Sequence, residues 1–256
     1  MPELTSERIE IIPIRGIPFI RPGANLGRLI LDAAKNQDLP LRDGDIIVCC
    51  SKVLARAEGR IVPLADVTPG SLAVRFAQST GKDPRVVQVV LDHSRRILRM
   101  DRGLMIVEST QGLVGANAGI DLSNVDGGQS VCLLPEDGDR SAALLKAAIE
   151  KDGAVEVAVI VTDSVGRPWR VGLVDVAVGL AGMSPIIDCT GEQDLTGLEL
   201  EHTQHAVADA LAAAAGLWFR KASAIPVCVV RGFAFEPQER ASIKALARDP
   251  EADRFR

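Results

Sequence analysis

An excess of basic charge is missing from this 256-residue chain: 29 lysines and arginines face 34 aspartates and glutamates, for a formal net charge of −5. That balance gives no support to a nucleic-acid partner, while leaving room for a local basic pocket. Paired cysteine spacing is missing too. The five cysteines, at 49, 50, 132, 189 and 228, form no Cys-x-x-Cys, are odd in number and sit partly in apolar runs. They read as reduced, buried thiols of a cytoplasmic protein. No apolar stretch approaches the ~20 residues that cross a bilayer, so no membrane partner is expected. The first residues lack the basic, then apolar, then small-residue order of a signal peptide. Tyrosine is absent and aromatic residues amount to 3%, in a composition otherwise ordinary for a globular protein. Three catalytic signatures are absent as well: the Walker Gly-x-x-x-x-Gly-Lys-Ser/Thr, the Gly-x-Ser-x-Gly elbow, and a Glu-bearing His-x-x-x-His. The chain is therefore not an ordinary P-loop protein, and it lacks the marks of a serine hydrolase or a helix-borne zinc site.

What is present alternates strands and helices. Apolar, β-branched runs predict strands at 9–14, 46–50, 155–162 and 225–230, with two shorter runs at 104–107 and 113–114. Helical spacing predicts helices at 26–36, 71–78, 84–98 and 141–151, with Pro84 suited to a first turn and Ser141 to a cap. A long alanine-rich helix is expected over 199–219, and a short strand over 56–60. Residues 172–182 mix Gly, Ala and Val without a clear period. No repeat, linker or low-complexity tract divides the chain. The mixture is α/β or α+β, in one large domain or two small ones.

Polar groups cluster after two of the apolar runs. The first cluster reads Asn117-Ala118-Gly119-Ile120-Asp121-Leu122-Ser123-Asn124-Val125, followed by Gly127 and Gly128, whose backbones would let the chain turn sharply. The second reads Thr162-Asp163-Ser164, then Gly166-Arg167-Pro168-Trp169-Arg170. Asp121 and Asp163 could bind Mg2+ or Mn2+ through oxygen, with Ser164 or Thr162 completing the shell; equally, each carboxylate could cap a turn. Ser51, Lys52 and Arg56 follow a buried strand, where cations either meet a phosphate or form a solvated edge. Arg167 and Arg170 could clamp an anion or make a surface ion pair. His93, His202 and His205 fall on expected helices, where solvent-facing or core roles are commoner than metal ligation.

These stretches together resemble the coenzyme F420-0:γ-glutamyl ligase family. Four segments carry the likeness: residues 51–60 with Ser51-Lys52 and Glu58-Gly59-Arg60, residues 117–125, residues 162–172, and residues 226–232. It covers roughly residues 9–233. The resemblance implies a mixed α/β (α+β), two-part fold in a single ligase unit spanning 1–256, assembled as an intertwined homodimer. It implies that L-glutamate is joined to F420-0, or a related acid, with GTP as co-substrate through an acyl phosphate. Mg2+ or Mn2+ is the implied metal, with K+ a further candidate ion. By matching position, Asp121, Asp163 and Ser164 resemble metal ligands, with Arg167 beside them as a catalytic candidate. Ile17, Pro18, Phe19, Ile20, Ser51, Lys52, Arg56 and Asn124 resemble nucleotide contacts. The likeness weakens at 217–223, where Arg220 stands for a glycine and Lys221 falls near a metal-contacting position. It weakens also at Thr196 and Leu198, where tyrosine and arginine are common. Those departures leave two alternatives: a ligase of the same fold with another acid or amine, and a homologue that binds deazaflavin or nucleotide without turnover.

Overall fold

A computed structural model describes residues 8–123, 125–220, 222–249 and 251–253. In chain order the elements are β1 (Glu10–Ile14), α1 (Leu26–Asn36), β2 (Asp45–Cys50), α2 (Ser51–Ala57), β3 (Ile61–Pro63), α3 (Ser71–Thr80), α4 (Pro84–Asp92), β4 (Ser94–Asp101), β5 (Leu104–Ser109), β6 (Val114–Ala116) and β7 (Ser130–Cys132). They continue as α5 (Gly138–Gly153), β8 (Val157–Arg167), β9 (Arg170–Met183), β10 (Ile187–Asp188), β11 (Gln204–His205), α6 (Val207–Gly216), β12 (Val227–Arg231) and β13 (Pro237–Gln238). The class is mixed α+β.

The central sheet runs β1-β12-β2-β8-β9-β13. Only β2 and β8 pair in parallel; the other neighbours are antiparallel. Its inner strands are uninterrupted apolar runs because both faces are covered. Side chains alternate faces along a strand. Ile47, Cys49, Val157, Val159, Val161, Val227 and Val229 therefore pack with α1 and α5. Their neighbours Ile46, Val48, Ala158, Ile160, Cys228 and Val230 pack with α6 on the other side. The fit of α5 onto β9 depends on Gly138. A Cβ there would lie 2.0 Å from the Val178 carbonyl oxygen, so the helix can start against the strand only without a side chain. A smaller layer follows β3. The three-stranded sheet β4-β5-β6 meets α3 and α4 around Phe76, Val87, Val90, Met105 and Val107. The short β3-β7 pair joins Val89 around Leu64, Val131 and Leu133.

Several boundaries differ from the sequence-based expectation, each for a local reason. The segment after β2 is the helix α2 rather than a strand through 56–60, and Gly59, at a φ of 72°, ends the turn that follows it. Helix α4 stops at Asp92 instead of continuing to 98. His93 Nδ1 lies 3.0 Å from the Val89 oxygen, and Ser94 Oγ donates to the Val90 oxygen, so side chains occupy the last carbonyls. Residues 94–101 then pair with β5. Helix α5 begins earlier than expected, at Gly138, with Asp137 rather than Ser141 as its cap. Helix α6 begins at Val207, eight residues later than expected, because Gln204 and His205 pair with β10 and the Gln204 amide donates to Asp188. His202 and His205 thus lie outside a helix, and among the described residues no group of three or more His, Cys, Asp or Glu is arranged to hold a metal. The strand expected to end at Thr162 continues to Arg167 and turns back as β9, so Asp163 lies within a long hairpin. No helix among the described residues is long and apolar enough to cross a membrane.

Candidate functional site

A cleft of about 730 Å³ opens where β2 stops at Cys50 opposite Thr162, while β8 and β9 run on beyond it. Among the described residues, five segments line it. The β1–α1 loop supplies Ile17, Pro18, Phe19 and Ile20; α2 supplies Ser51, Lys52 and Arg56. The turn after β6 supplies Asp121, the hairpin supplies Asp163, Ser164 and Asp175, and the segment after α6 supplies Phe219 and Arg220. Two sequence motifs 42 positions apart are thereby brought onto one cavity. Asn124 and Lys221 lie outside the described residues. Arg167 is not among the lining residues: it sits at the exposed tip of the hairpin, where its guanidinium donates to the Val171 oxygen at 3.4 Å.

Each wall has a local cause. The helical form of α2 puts Lys52 and Arg56 one turn apart on one face, which the expected strand would not have done. Ahead of Asp121, the residues Asn117, Ala118 and Gly119 have φ values of 52°, 54° and 70°. Left-handed backbone is tolerated by Asn but unfavourable for Ala, and a strained turn of this kind persists only where the surroundings impose it. It delivers Asp121 to a bridge with Cys132 and aims its carboxylate at Lys52.

The charges are unevenly satisfied. Lys52 Nζ pairs with Asp121 and also donates to Ser123 Oγ at 3.0 Å, while the Ser123 amide donates to Asp121 Oδ1 at 2.6 Å. Burial alone would raise the Asp121 carboxyl, but the Lys52 and Ser123 hydrogen bonds outweigh it and hold the group below the usual carboxylate range. Asp163 behaves oppositely. Burial pushes it up to about 6, and the nearby Asp121 and Asp175 add to the rise, against a 3.0 Å hydrogen bond from Ser51 Oγ. Burial raises Asp175 too, against the 3.0 Å hydrogen bond it accepts from Ser164 Oγ. Burial likewise keeps the Cys50 thiol protonated, so it is no nucleophile here. Arg56 is 5% exposed, and its Nε and Nη2 have no hydrogen-bond partner among the described residues. Its guanidinium lies 4.3 Å from the centroid of the exposed Phe19 ring.

This arrangement suits an anion and a hard cation together. A buried guanidinium with unspent N–H groups is costly unless an acceptor arrives, and a phosphate or carboxylate is the matching one. The charged form of Asp163, disfavoured by burial and by the neighbouring Asp121 and Asp175, would be stabilised by a cation. The donor set of Asp121, Asp163 and Ser164 is all oxygen, which fits Mg2+ or Mn2+ rather than a thiophilic metal. Among the described residues too few protein ligands converge to close a site alone, the usual situation for Mg2+ shared with a nucleotide. Sequence reasoning missed Asp175, since it falls in the Gly- and Ala-rich stretch without a period. A carboxylate interrupting the apolar run of β9 was the available signal.

The family model for F420-0:gamma-glutamyl ligase matches residues 15–232. A coenzyme F420:L-glutamate ligase of Methanothermobacter thermautotrophicus is 41% identical over 250 residues, covering 97% of this chain and 99% of that protein. Proteins of the same name from Methanopyrus kandleri and Methanocaldococcus jannaschii are 39% and 38% identical; the alignments cover 99% and 97% of this chain and the same shares of the two relatives.

Proposed function

The chain belongs to the F420-0:gamma-glutamyl ligase family and is a ligase, and we propose that it joins L-glutamate to coenzyme F420-0 with GTP as phosphoryl donor. The observation that carries the mechanism is the cleft itself, where Asp121, Asp163 and Asp175 share a cavity with Lys52 and with Arg56, whose Nε and Nη2 have no hydrogen-bond partner among the described residues. An acid and an amine do not condense unaided, because oxide is a poor leaving group. Transfer of the γ-phosphoryl group of GTP to the acceptor carboxylate gives an acyl phosphate and GDP. The glutamate amine then attacks the acyl carbon, loses a proton, and expels inorganic phosphate. Such steps ask the protein mainly for alignment and for charge placed ahead of time.

The chain's own residues account for much of that. Arg56 offers two N–H groups to phosphoryl oxygens, and Phe19, stacked on its guanidinium, keeps the fork oriented. Lys52 holds Asp121 in place. Ser51 donates to one oxygen of Asp163, a carboxylate that lines the cleft. A divalent cation held by Asp121, Asp163 and Ser164 would neutralise charge on the transferred group. The five cysteines are free thiols, which suits a reducing cytoplasm. Trp169 and Val171, 84% and 98% exposed at the hairpin tip, suit coverage by a second copy in a homodimer.

The test is direct. Incubation with F420-0, L-glutamate, GTP and Mn2+ is expected to give a product one glutamyl residue heavier by mass spectrometry, with matching phosphate release that chelation stops. Product formed only with a different acid or amine would replace this reading with that of a ligase of the same fold and another substrate, a possibility that Arg220 in the cleft wall keeps specific. Two further outcomes are expected. Arg56→Met raises the KM for GTP about 10–100-fold, the worth of a charge-assisted hydrogen bond, while thermal stability holds or improves because an unpaired buried charge is gone. Val171→Asp shifts the species seen by light scattering from dimer to monomer; an unchanged mass would remove the hairpin tip from the interface.

A further inference from the structure

We infer that Asp175 is a positioning residue for this ligase: it ties up the hydroxyl proton of Ser164 so that only oxygen lone pairs face the cation side of the cleft. The inference rests on the metal-assisted reading above and assigns a role to a residue outside the Asp121, Asp163 and Ser164 set.

The first observation is one of register. Val161 pairs with Gly179, and continuing that register would set Ser164 against Val176. A bulge intervenes, Thr162 pairs with Ala177, and Ser164 faces Asp175 instead. Directly opposed residues of an antiparallel pair share a face, so one extra residue in β9 exchanges a valine for a carboxylate beside the hydroxyl. Bulges commonly re-aim side chains in this way next to active sites. The second observation is the bond itself. Ser164 Oγ donates to Asp175 Oδ1 at 3.0 Å. A hydroxyl carries one donor and two acceptor lone pairs. With its proton committed to Asp175, Ser164 presents acceptors alone, as a cation ligand must. Left to rotate, the same hydroxyl would spend part of its time pointing a proton at the cation.

The third observation is how the carboxylate is held. Asp175 is 8% exposed, and α6 ends against it. A Cβ on Gly216, the last residue of α6, would lie 2.1 Å from Asp175 Oδ2 and 2.8 Å from its Cγ. The bare Cα of Gly216 therefore leaves room for this carboxylate, and the helix end fixes where it sits. Partners that orient ligands in this manner are worth about 10–100-fold in metal affinity or activity.

The experiment uses the full chain and Mn2+ itself. Binding is measured by loss of the free-ion electron paramagnetic resonance signal, with and without GTP, and steady-state kinetics give kcat and the KM for Mn2+ separately. Asp175→Ala is expected to weaken Mn2+ binding roughly 10–100-fold and to raise the KM for Mn2+ more than it lowers kcat. Asp175→Asn retains an acceptor oxygen for Ser164 and is expected to recover most of that loss. Ser164→Ala should be as impaired as Asp175→Ala, and the double variant no worse than Ser164→Ala, since the two act as one unit. Gly216→Ala, which displaces the carboxylate without removing it, is expected to move Mn2+ affinity in the same direction and serves if Asp175→Ala does not fold. Unchanged affinity in both Asp175→Ala and Gly216→Ala would overturn the inference. So would additive losses in the double variant, or an Asp175→Asn variant as poor as Asp175→Ala, because the carboxylate would then act by its own charge. A wild-type protein that binds no Mn2+ with or without GTP would instead remove the metal reading beneath it.

Discussion

Asp163→Asn is expected to lower the rate of ligation by on the order of 10³-fold, the scale on which loss of one preorganised electrostatic contact acts, while the protein remains folded. The substitution keeps the shape, and the amide oxygen can still accept from Ser51 Oγ, which is 3.0 Å from Asp163 Oδ1. What disappears is the negative charge that would hold a cation against transferred phosphate. The stability change should have the opposite sign. Burial raises the Asp163 carboxyl to about 6 in the folded chain, above the ordinary range of an unfolded aspartate. A folded pKa above the unfolded one means that the native state binds the proton more tightly. The group's contribution to stability is then present at low pH and is lost as pH rises through about 6. In chelator, Asp163→Asn should therefore melt higher than the parent at pH 7.5, with the difference shrinking towards pH 5. Melting curves at the two pH values, beside phosphate-release rates, check both halves. A variant that still ligates at near parental rate would detach Asp163 from the chemistry.

The largest loss of stability is expected from Arg231→Met. Asp45, 1% exposed, opens β2, and Arg231 closes β12, the strand between β2 and the edge strand β1. The guanidinium holds Asp45 at both oxygens, Nε to Oδ1 at 2.8 Å and Nη2 to Oδ2 at 2.7 Å, and donates to the Pro40 oxygen at 3.0 Å. Asp45 also accepts from the Arg42 amide at 2.8 Å, pinning the turn into β2. Removing the arginine leaves a carboxylate in the interior with its main partner gone, a change worth about 3–5 kcal/mol. For a chain of this length, that corresponds to a fall in Tm of roughly 6–20 °C. Asp45→Asn in the same background should recover much of the loss, because the cost lies in the stranded charge. Denaturant melts of the two single variants and the double variant measure this. Activity at low temperature should survive in Arg231→Met, since the pair touches β2 at the end away from Ser51 and Lys52.

The core and much of the cleft were legible in the residues. Continuous β-branched runs at 46–50, 157–161 and 227–230 have no polar face, so they required cover on both sides, and α1, α5 and α6 provide it. The bounds of α1 were readable because Asn25 caps it and its apolar spacing is strict. Residues 17–20, Ser51, Lys52, Arg56, Asp121, Asp163 and Ser164, singled out by motif, line one cavity, whereas Arg167 sits at the hairpin tip.

Where local preference is weak, only tertiary contacts decided. Residues 94–98 and 199–206 suit a helix by composition, yet intrinsic propensities differ by a few tenths of a kcal/mol per residue. Pairing with β5 and β10 supplies hydrogen bonds and burial on a larger scale. Asp175 shows the same limit at the site. Its meeting with Ser164 depends on a one-residue bulge and on a helix end without a side chain at Gly216. Residue types and spacing along this chain therefore determined the buried sheet and the groups available for chemistry. Which of those groups face one another was set by strand register and close packing, long-range quantities that no local pattern encodes.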